Sequence, residues 1–598
     1  MYKVLFRNEG GEDVTVFAVG GENVLELARK ANVPIDAPCS GNGTCGKCRV
    51  KVRQGVRQGT DPCLTPCLTV LACESVINGD VVIYVPNVMA SYVRNITTEV
   101  YVKDEKQGDG SKQGDGSSAL SVDKAEEPSP CFEPSPCFFG LAIDIGTTTV
   151  SALLVDMSTG DILAKANTGN AQIRYGADVI NRIIEQEKPG GIQKLQDAIV
   201  KDTLTPLIDS LCEATGVKHE HIKRLTVAAN TTMNHLLLGV DANSIRIDPY
   251  EPAFLEFGVY DPASIGIHLA RDTEMLIAPN VGSYVGGDIT AGVLGTGAST
   301  GWQMWPSGGE KAGGRFFCFI DCENKAEEPS PCFLIDLGTN GEIVLSNREF
   351  MLTCACSAGP AFEGGDISCG MRATGGAIEA FRIDRATMEP ELAVIGGTPV
   401  GLCGSGLIDV VAELFRVGLI DGRGKFVNNK AAPCITDRVR YDEYGAGSYV
   451  LAYASESATG RDITLTETDI DNFIRAKGAI FSGIISLLSP LGLALADIDD
   501  IFIAGGIGGG INIRNAISIG MLPDLPEEKY RYLGNTALDG AYSMLLPLNS
   551  EQALEVVNDI ARNMTYIDLS TQPGYMEEFI AACFLPHTDE RLFPGLRG

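Results

Sequence analysis

Two stretches of the chain read almost alike. GLAIDIGTTTVSALLVD begins at Gly140 and FLIDLGTNGEIVLS begins at Phe333. Each is an apolar strand running into Asp-(Ile or Leu)-Gly-Thr, a tight turn and a second strand. Copies about 190 residues apart lie far outside the spacing of a solenoid repeat. They argue instead for two similar lobes facing one another. From Phe139 to the end, strand and helix patterns alternate, which predicts α/β architecture. The turn chemistry suits phosphate. Gly146 frees backbone N–H groups for phosphate oxygens, and Thr147, Thr148 and Thr149 add hydroxyl donors. Asp144 cannot usefully face a phosphate, so it is expected to act through Mg²⁺ and its waters. The second copy offers Asp336, Gly338, Thr339, Asn340 and Gly341 from the opposite lobe.

A third signal is IFIAGGIGGGINI, where an apolar strand ends in Gly505, Gly506, Gly508, Gly509 and Gly510. So many glycines permit close approach of a flat group such as adenine. The pattern does not fit G-x-G-x-x-G with a later acidic residue, and the chain has no G-x-x-x-x-G-K-[ST] loop. Two phosphate hairpins followed by a glycine patch, in that order, resemble the superfamily of sugar and acetate kinases, heat-shock chaperones and actin. That resemblance implies ATP.

A different chemistry stands at the front. Cys39 to Cys48 reads CSGNGTCGKC, three cysteines in C-x5-C-x2-C spacing. Gly41, Gly43 and Gly46 let a loop turn tightly around a cluster, and Cys39, Cys45 and Cys48 supply three thiolates for [2Fe–2S]. The fourth is expected from Cys73 in VLACE, with Cys63 and Cys67 in DPCLTPCLT as rivals. Zinc is the competing metal, but zinc ribbons prefer two separated C-x2-C knuckles. Around the loop, YKVLFRNEG and EDVTVFAVG alternate as hairpin strands, ENVLELARKANV has helical spacing and DVVIYVP reads as a strand. This is the order of a ferredoxin-like β-grasp.

Composition narrows the partners. With 47 Lys+Arg against 77 Asp+Glu the net charge is -30, which argues against nucleic acid. No basic region followed by an apolar core opens the chain, so a cytoplasmic location is expected. Most of the 18 cysteines are then expected to be reduced thiols and metal ligands, not disulfides. The run GAIFSGIISLLSPLGLALA, Gly478 to Ala496, reaches membrane-spanning length. Ser482, Ser486, Ser489 and Pro490 interrupt it, and a buried helix ending near Ser489 is expected, with no membrane contact.

The expected division is a ferredoxin-like domain over 1–98, a flexible linker over 99–138, a first ATPase lobe over 139–320 and a second over 321–598. The linker carries tandem copies of KQGDGS and EPSPCF and lacks apolar surface to bury. Its KAEEPSPCF, Lys124 to Phe132, recurs at Lys325 to Phe333, and no mechanism requires that repeat.

Further segments narrow the family. They include QIRYGADVINRI from Gln172, AANTTMNHLLLG from Ala228 and APNVGSYVGGDITAG from Ala278. CSAGPAFEGGDISCGMRA from Cys356, GLCGSGLIDVVAEL from Gly401 and FIRAKGAIFSGI from Phe473 add to the set. Behind a cluster domain, they make the chain resemble the ATP-dependent reductive activators of corrinoid proteins, over nearly all of 139–598 and most of 1–98. The resemblance implies a β-grasp [2Fe–2S] domain tethered to a two-lobed actin-like (ASKHA) ATPase. It also implies a corrinoid protein as partner, a low-potential electron donor, a homodimer, and reduction of inactive Co(II) to Co(I). Two departures stand out. The stretch between Cys48 and Cys73 is short, and low-complexity sequence occupies the place where some relatives carry a folded middle domain.

Ser357 is a candidate for touching the corrinoid, with a structural turn as its alternative. Asp288 is a candidate for Mg²⁺-bound or hydrolytic water, with a helix N-cap as its alternative. His235 in MNHLLLG reads as a satisfied core histidine. The functional alternatives are a small-molecule kinase of the same superfamily and an activator of a radical dehydratase or reductase.

Overall fold

The computed structural model describes residues 1–8, 13–31, 33, 35, 48–54, 68–85, 98–102, 138–176, 178–300, 331–338, 340–347, 349–427, 436–507, 510–546 and 550–597.

The first domain is a five-stranded sheet. In space its strands run Val14–Ala18, Tyr2–Asn8, Val81–Val85, Arg49–Gln54, Leu68–Leu71. The alternation of the first strand buries Val4 and Phe6 against Leu25 and Ala28 of the helix Val24–Lys30. That helix starts where Asn23 Oδ1 accepts from the N–H groups of Leu25 and Glu26. The same side chain donates from Nδ2 to the Cys73 carbonyl at 2.7 Å, so the cap also holds the segment carrying the expected fourth ligand.

The two similar stretches form two similar sheets. In the seven-stranded sheet, Phe139–Ile145 pairs antiparallel with Thr149–Asp156 and parallel with Ile222–Ala229. In the six-stranded sheet, Cys332–Leu337 pairs antiparallel with Gly341–Ser346 and parallel with Ile501–Ala504. The hairpins are thus equivalent in topology as well as in sequence.

The lobes are not separated along the chain as expected. Helix Thr536–Leu545, placed by sequence in the second lobe, packs on the first lobe's strands: Thr226 Oγ1 donates to the Ala541 carbonyl at 2.6 Å and Arg224 Nη1 to the Leu545 carbonyl at 3.0 Å. It also crosses helix Gly287–Thr300 backbone to backbone, since a Cβ on Gly540 would lie 1.8 Å from the Ala291 carbonyl oxygen. One apolar core therefore joins residues of both sheets, among them Leu276 and Phe502. The front of the expected linker differs too. Glu99–Val102 pairs antiparallel with the strand Asp161–Gly169 as an edge of the first lobe's sheet. The first copy of KAEEPSPCF lies outside the described residues. The second ends in Cys332 and Phe333, both buried in the central strand of the second sheet.

The apolar run begins in helix Glu467–Leu488, passes through the turn Ser489–Leu491 and ends in a second short turn, Leu495–Asp497. The helix opens with a capping box of Thr466 and Asp469. By length and composition it could cross a membrane, but most of it is packed inside the protein.

Candidate functional site

A cavity of about 530 Å³ lies between the two hairpins. Each turn is closed by its own backbone: Gly146 N–H donates to the Thr149 carbonyl at 2.9 Å and Gly338 N–H to the Asn340 carbonyl at 3.1 Å. The first turn is held further. The Gly146 carbonyl accepts from Asn170 Nδ2 at 3.0 Å, and the Thr147 carbonyl accepts from the buried Arg182. The Thr148 carbonyl accepts from Asn170 N–H at 2.9 Å and from Arg372 of the second lobe. With these carbonyls tied, the peptide planes of the turn, and so their N–H groups, have a set orientation.

Asp144 and Asp336 sit near the ends of the equivalent strands and line the cavity together with Asp288 and Glu342. Asp288 is the second residue of the helix Gly287–Thr300 and accepts from Ile289 N–H at 2.9 Å, so it stands in the first turn and is not an N-cap. Burial, and after it the charge of neighbouring carboxylates, pushes all four carboxyls upward. Asp144 moves from 3.8 to about 6, held down partly by Asn535 Nδ2 at 2.7 Å. Asp336 moves to about 7, by burial and then the charges of Asp144 and Glu363. Asp288 moves to about 8, by burial and then Asp336 and Asp144. Glu342 rises well above its ordinary value for the same reasons. Carboxyls crowded in this way suit a site completed by a cation. Among the described residues no group of three His, Cys, Asp or Glu side chains could hold a metal ion.

Of the residues expected at this site, Asp144, Gly146, Thr147, Thr149, Asp288, Asp336, Gly338, Asn340, Gly505 and Gly506 line the cavity. Thr148 and Gly341 are not among its walls. Gly341 is a close-packing position, since a Cβ there would lie 2.0 Å from Ile480 Cδ1. Thr339, Gly508 and Gly509 lie outside the described residues, and Gly510 is not on the wall. Gly505 has a reason the sequence did not suggest. At φ +105°, its Cβ would lie 2.3 Å from the Leu337 carbonyl oxygen and 2.8 Å from Asp336 Oδ1. Gly505→Ala is accordingly expected to displace Asp336, weaken ATP binding at least about tenfold and lower stability by about 1–3 kcal/mol; nucleotide titration and thermal unfolding check both.

Sequence reasoning missed Glu342, Glu363, Arg372, Asn535 and Lys165. Glu342 was within reach: it is the Cα partner of Asp336 across the hairpin, a register that the turn length sets. Asn535 and Arg372 come from distant segments and gave no local signal. His235 is the core histidine expected, with Nδ1 donating to the Thr231 carbonyl at 2.7 Å, Nε2 accepting from Ala253 N–H at 3.1 Å, and its ring stacked on Phe254.

In the first domain, Cys48 precedes strand Arg49–Gln54 and Cys73 follows strand Leu68–Leu71. Their Sγ atoms lie 3.2 Å apart without a disulfide, Cys48 fully buried. Ala72 N–H donates to the Cys48 carbonyl at 2.8 Å, holding the two segments together. Two thiols converging on one point fit ligands of one metal centre. Cys39, Cys45, Cys63 and Cys67 lie outside the described residues.

Comparison with known proteins places these features in a family. Residues 8–77 match the 2Fe-2S iron-sulfur cluster binding domain, 139–300 the RACo middle region, and 330–597 the C-terminal domain of RACo, the ASKHA domain. The match to the middle region spans the residues that form the first lobe. The chain is 33% identical over 450 residues to the corrinoid activation enzyme RamQ of Eubacterium limosum, covering 74% of this chain and 69% of that one. It is 22% identical over 461 residues to the [Co(II) methylated amine-specific corrinoid protein] reductase of Methanosarcina barkeri, covering 71% and 73%. The solved structure of a reductive activator for corrinoid, iron-sulfur protein superposes over the whole of both chains with TM-score 0.66 and 35% identity. With a thiol pair in front and a carboxylate-lined cavity between two phosphate-type hairpins behind, this chain belongs to the RACo family of corrinoid-activating proteins.

Proposed function

We propose that the protein returns an inactive Co(II) corrinoid protein to Co(I), one electron per cobalt, in a reaction driven by ATP hydrolysis. The observation that carries this reading is the union in one chain of the Cys48–Cys73 thiol pair and the cavity between the Gly146 and Gly338 turns. A [2Fe–2S] cluster on Cys39, Cys45, Cys48 and Cys73 supplies a one-electron carrier, near about −400 mV for plant-type centres. Each ~59 mV by which a corrinoid is harder to reduce costs a factor of ten in equilibrium. Nucleotide hydrolysis in the other half of the chain offsets that deficit.

Within the cavity, the two turns cradle phosphate oxygens through backbone N–H groups and the Thr147 and Thr149 hydroxyls. Lys165 and Arg372 add positive charge to the wall. Asp144, Asp288 and Asp336 are the residues that would hold Mg²⁺, which would offset the phosphate charge and needs few direct protein ligands when phosphates supply the rest. Asp288 and Asp336 also flank the place where an attacking water is oriented. Gly505 and Gly506 line the cavity beside Asp336 and leave its wall low for the adenosine. Ser357, exposed just after strand Met351–Cys356, belongs to the face offered to the corrinoid. The physiological donor is a low-potential one-electron carrier, and the working form is a homodimer in the cytoplasm.

The test is anaerobic absorption spectroscopy of Co(II) corrinoid proteins from the same genome, mixed with this protein and excess low-potential reductant. Co(I) should accumulate only when Mg–ATP is present. ATP hydrolysis with an intact cluster and no reduction of any such corrinoid protein would remove the proposal.

A further inference from the structure

Arg372 reaches across the cavity from the second lobe, and its Nη2 donates to the Thr148 carbonyl. The neighbouring Thr147 carbonyl is held by Arg182 from within the first lobe. Two successive carbonyls of one phosphate turn are therefore held by guanidinium groups, one from each lobe. The Arg182 tie travels with the turn. The Arg372 tie changes whenever the turn moves relative to the second lobe.

Arg372 is also the end of a strap. Residues 357–372 leave strand Met351–Cys356 at the exposed Ser357 and return to the cavity. Between Pro360 and Met371 the strap is folded backbone on backbone, with no room for side chains at Gly364, Gly365 and Gly370, while Gly359 beside Ser357 faces open space. A Cβ on Gly364 would lie 2.4 Å from Met371 N, and one on Gly370 would lie 2.2 Å from the Gly364 carbonyl oxygen. A Cβ on Gly365 would lie 2.5 Å from Pro360 Cβ, and Gly365 N–H donates to the Pro360 carbonyl at 2.8 Å. The chain of contacts thus runs from Arg372 through Met371, Gly364 and Pro360 to within three residues of Ser357. Its middle is braced against helix Glu467–Leu488: Ser368 N–H and Oγ–H donate to Asp469 at 2.6 and 2.7 Å, and Asn472 Nδ2 donates to the Asp366 carbonyl at 2.7 Å. The stretch from Pro360 to Met371, packed this closely, passes displacement on and does not absorb it.

We propose that Arg372 is a positioning residue that makes the exposed Ser357 end of the strap respond to the state of the Thr147–Thr149 turn. A guanidinium fork binds phosphate oxygens more strongly than a neutral carbonyl. A triphosphate in the cavity therefore draws Arg372 from the Thr148 carbonyl, and the strap moves with it. The surface near Ser357 then differs between nucleotide-bound and nucleotide-free protein. The inference rests on the nucleotide half of the proposed function and not on the identity of the partner.

The test is hydrogen–deuterium exchange on the full-length protein with and without Mg–AMP-PNP. In the wild type, exchange of peptides covering 357–371 should change by about tenfold, within the range of ordinary coupling energies. In Arg372→Ala and Arg372→Lys, at nucleotide concentrations shown to saturate by fluorescent-nucleotide titration, that change should fall below about twofold while peptides covering 146–149 still respond. Thermal unfolding of both variants confirms that they are folded. The inference is overturned if the strap of Arg372→Ala responds as the wild type does. It is equally overturned if lysine restores the response, because charge without the fork would then suffice, or if the wild-type turn responds and its strap does not. Absence of nucleotide binding to the wild type would overturn the nucleotide reading itself, and this inference with it.

Discussion

Cys48→Ser or Cys73→Ser is expected to abolish the visible absorption of the cluster and to lower ATP-dependent Co(I) formation by more than the ~10–100-fold typical of changes that only support a metal ligand. The two Sγ atoms are 3.2 Å apart at the junction of two backbone segments, and those segments are tied by Ala72 N–H to the Cys48 carbonyl and by Asn23 to the Cys73 carbonyl. A serine hydroxyl is close in size to a thiol but is not ionised near neutral pH, so each substitution removes a thiolate while leaving the fold around it. Fluorescent-nucleotide binding should persist, because the cavity is built from other domains. Absorption spectra, iron content and a nucleotide titration on the same samples check all three points. Equal loss of nucleotide binding would show that the substitution had unfolded the chain.

Asp288→Asn is expected to do two opposite things. It should reduce ATP hydrolysis by about 10²–10³-fold, the scale of losing one electrostatic group at a reacting centre. It should also stabilise the protein in the absence of nucleotide. The Asp288 carboxyl is pushed from 3.8 to about 8, first by burial and then by Asp336 and Asp144. Between those values the folded chain keeps a proton that the unfolded chain has released, so wild-type stability falls as pH rises towards about 8. Asparagine removes that dependence. The variant's advantage should be absent near pH 4, grow with pH and reach on the order of 1–3 kcal/mol above pH 8. Thermal unfolding from pH 4 to 9, paired with phosphate release, checks both halves. The same protons leave when a divalent cation enters, so Mg–ATP binding to the wild type should tighten as pH rises through 6 to 8.

The parts legible in the sequence were those set by short-range pattern. The two Asp-(Ile or Leu)-Gly-Thr hairpins declared themselves because a strand period of two and a tight turn are local properties, and the structure places them in equivalent sheets. Helix Glu467–Leu488 was legible as a buried helix because its serines and Pro490 break a spanning run. What escaped was whatever depends on the chain returning from far away. The crossing of Thr536–Leu545 over helix Gly287–Thr300 turns on a glycine-to-alanine backbone contact. The acceptors of Arg182 and Arg372 are main-chain carbonyls, which carry no residue identity to search for. Gly505 was expected beside adenine, and the structure adds that it leaves room for Asp336. Glu99–Val102 was counted with the linker because four residues beside a low-complexity stretch carry too little pattern to mark an edge strand.

The most direct measurement is a single turnover. The protein is reduced anaerobically, excess reductant is removed, and one equivalent of Co(II) corrinoid protein is added while the absorbance of Co(I) is followed. No Co(I) should form until Mg–ATP is supplied, after which it should form in step with phosphate release, and Asp336→Asn should show neither. Co(I) forming at the same rate and to the same extent without ATP would contradict the joint role of the two halves of the chain.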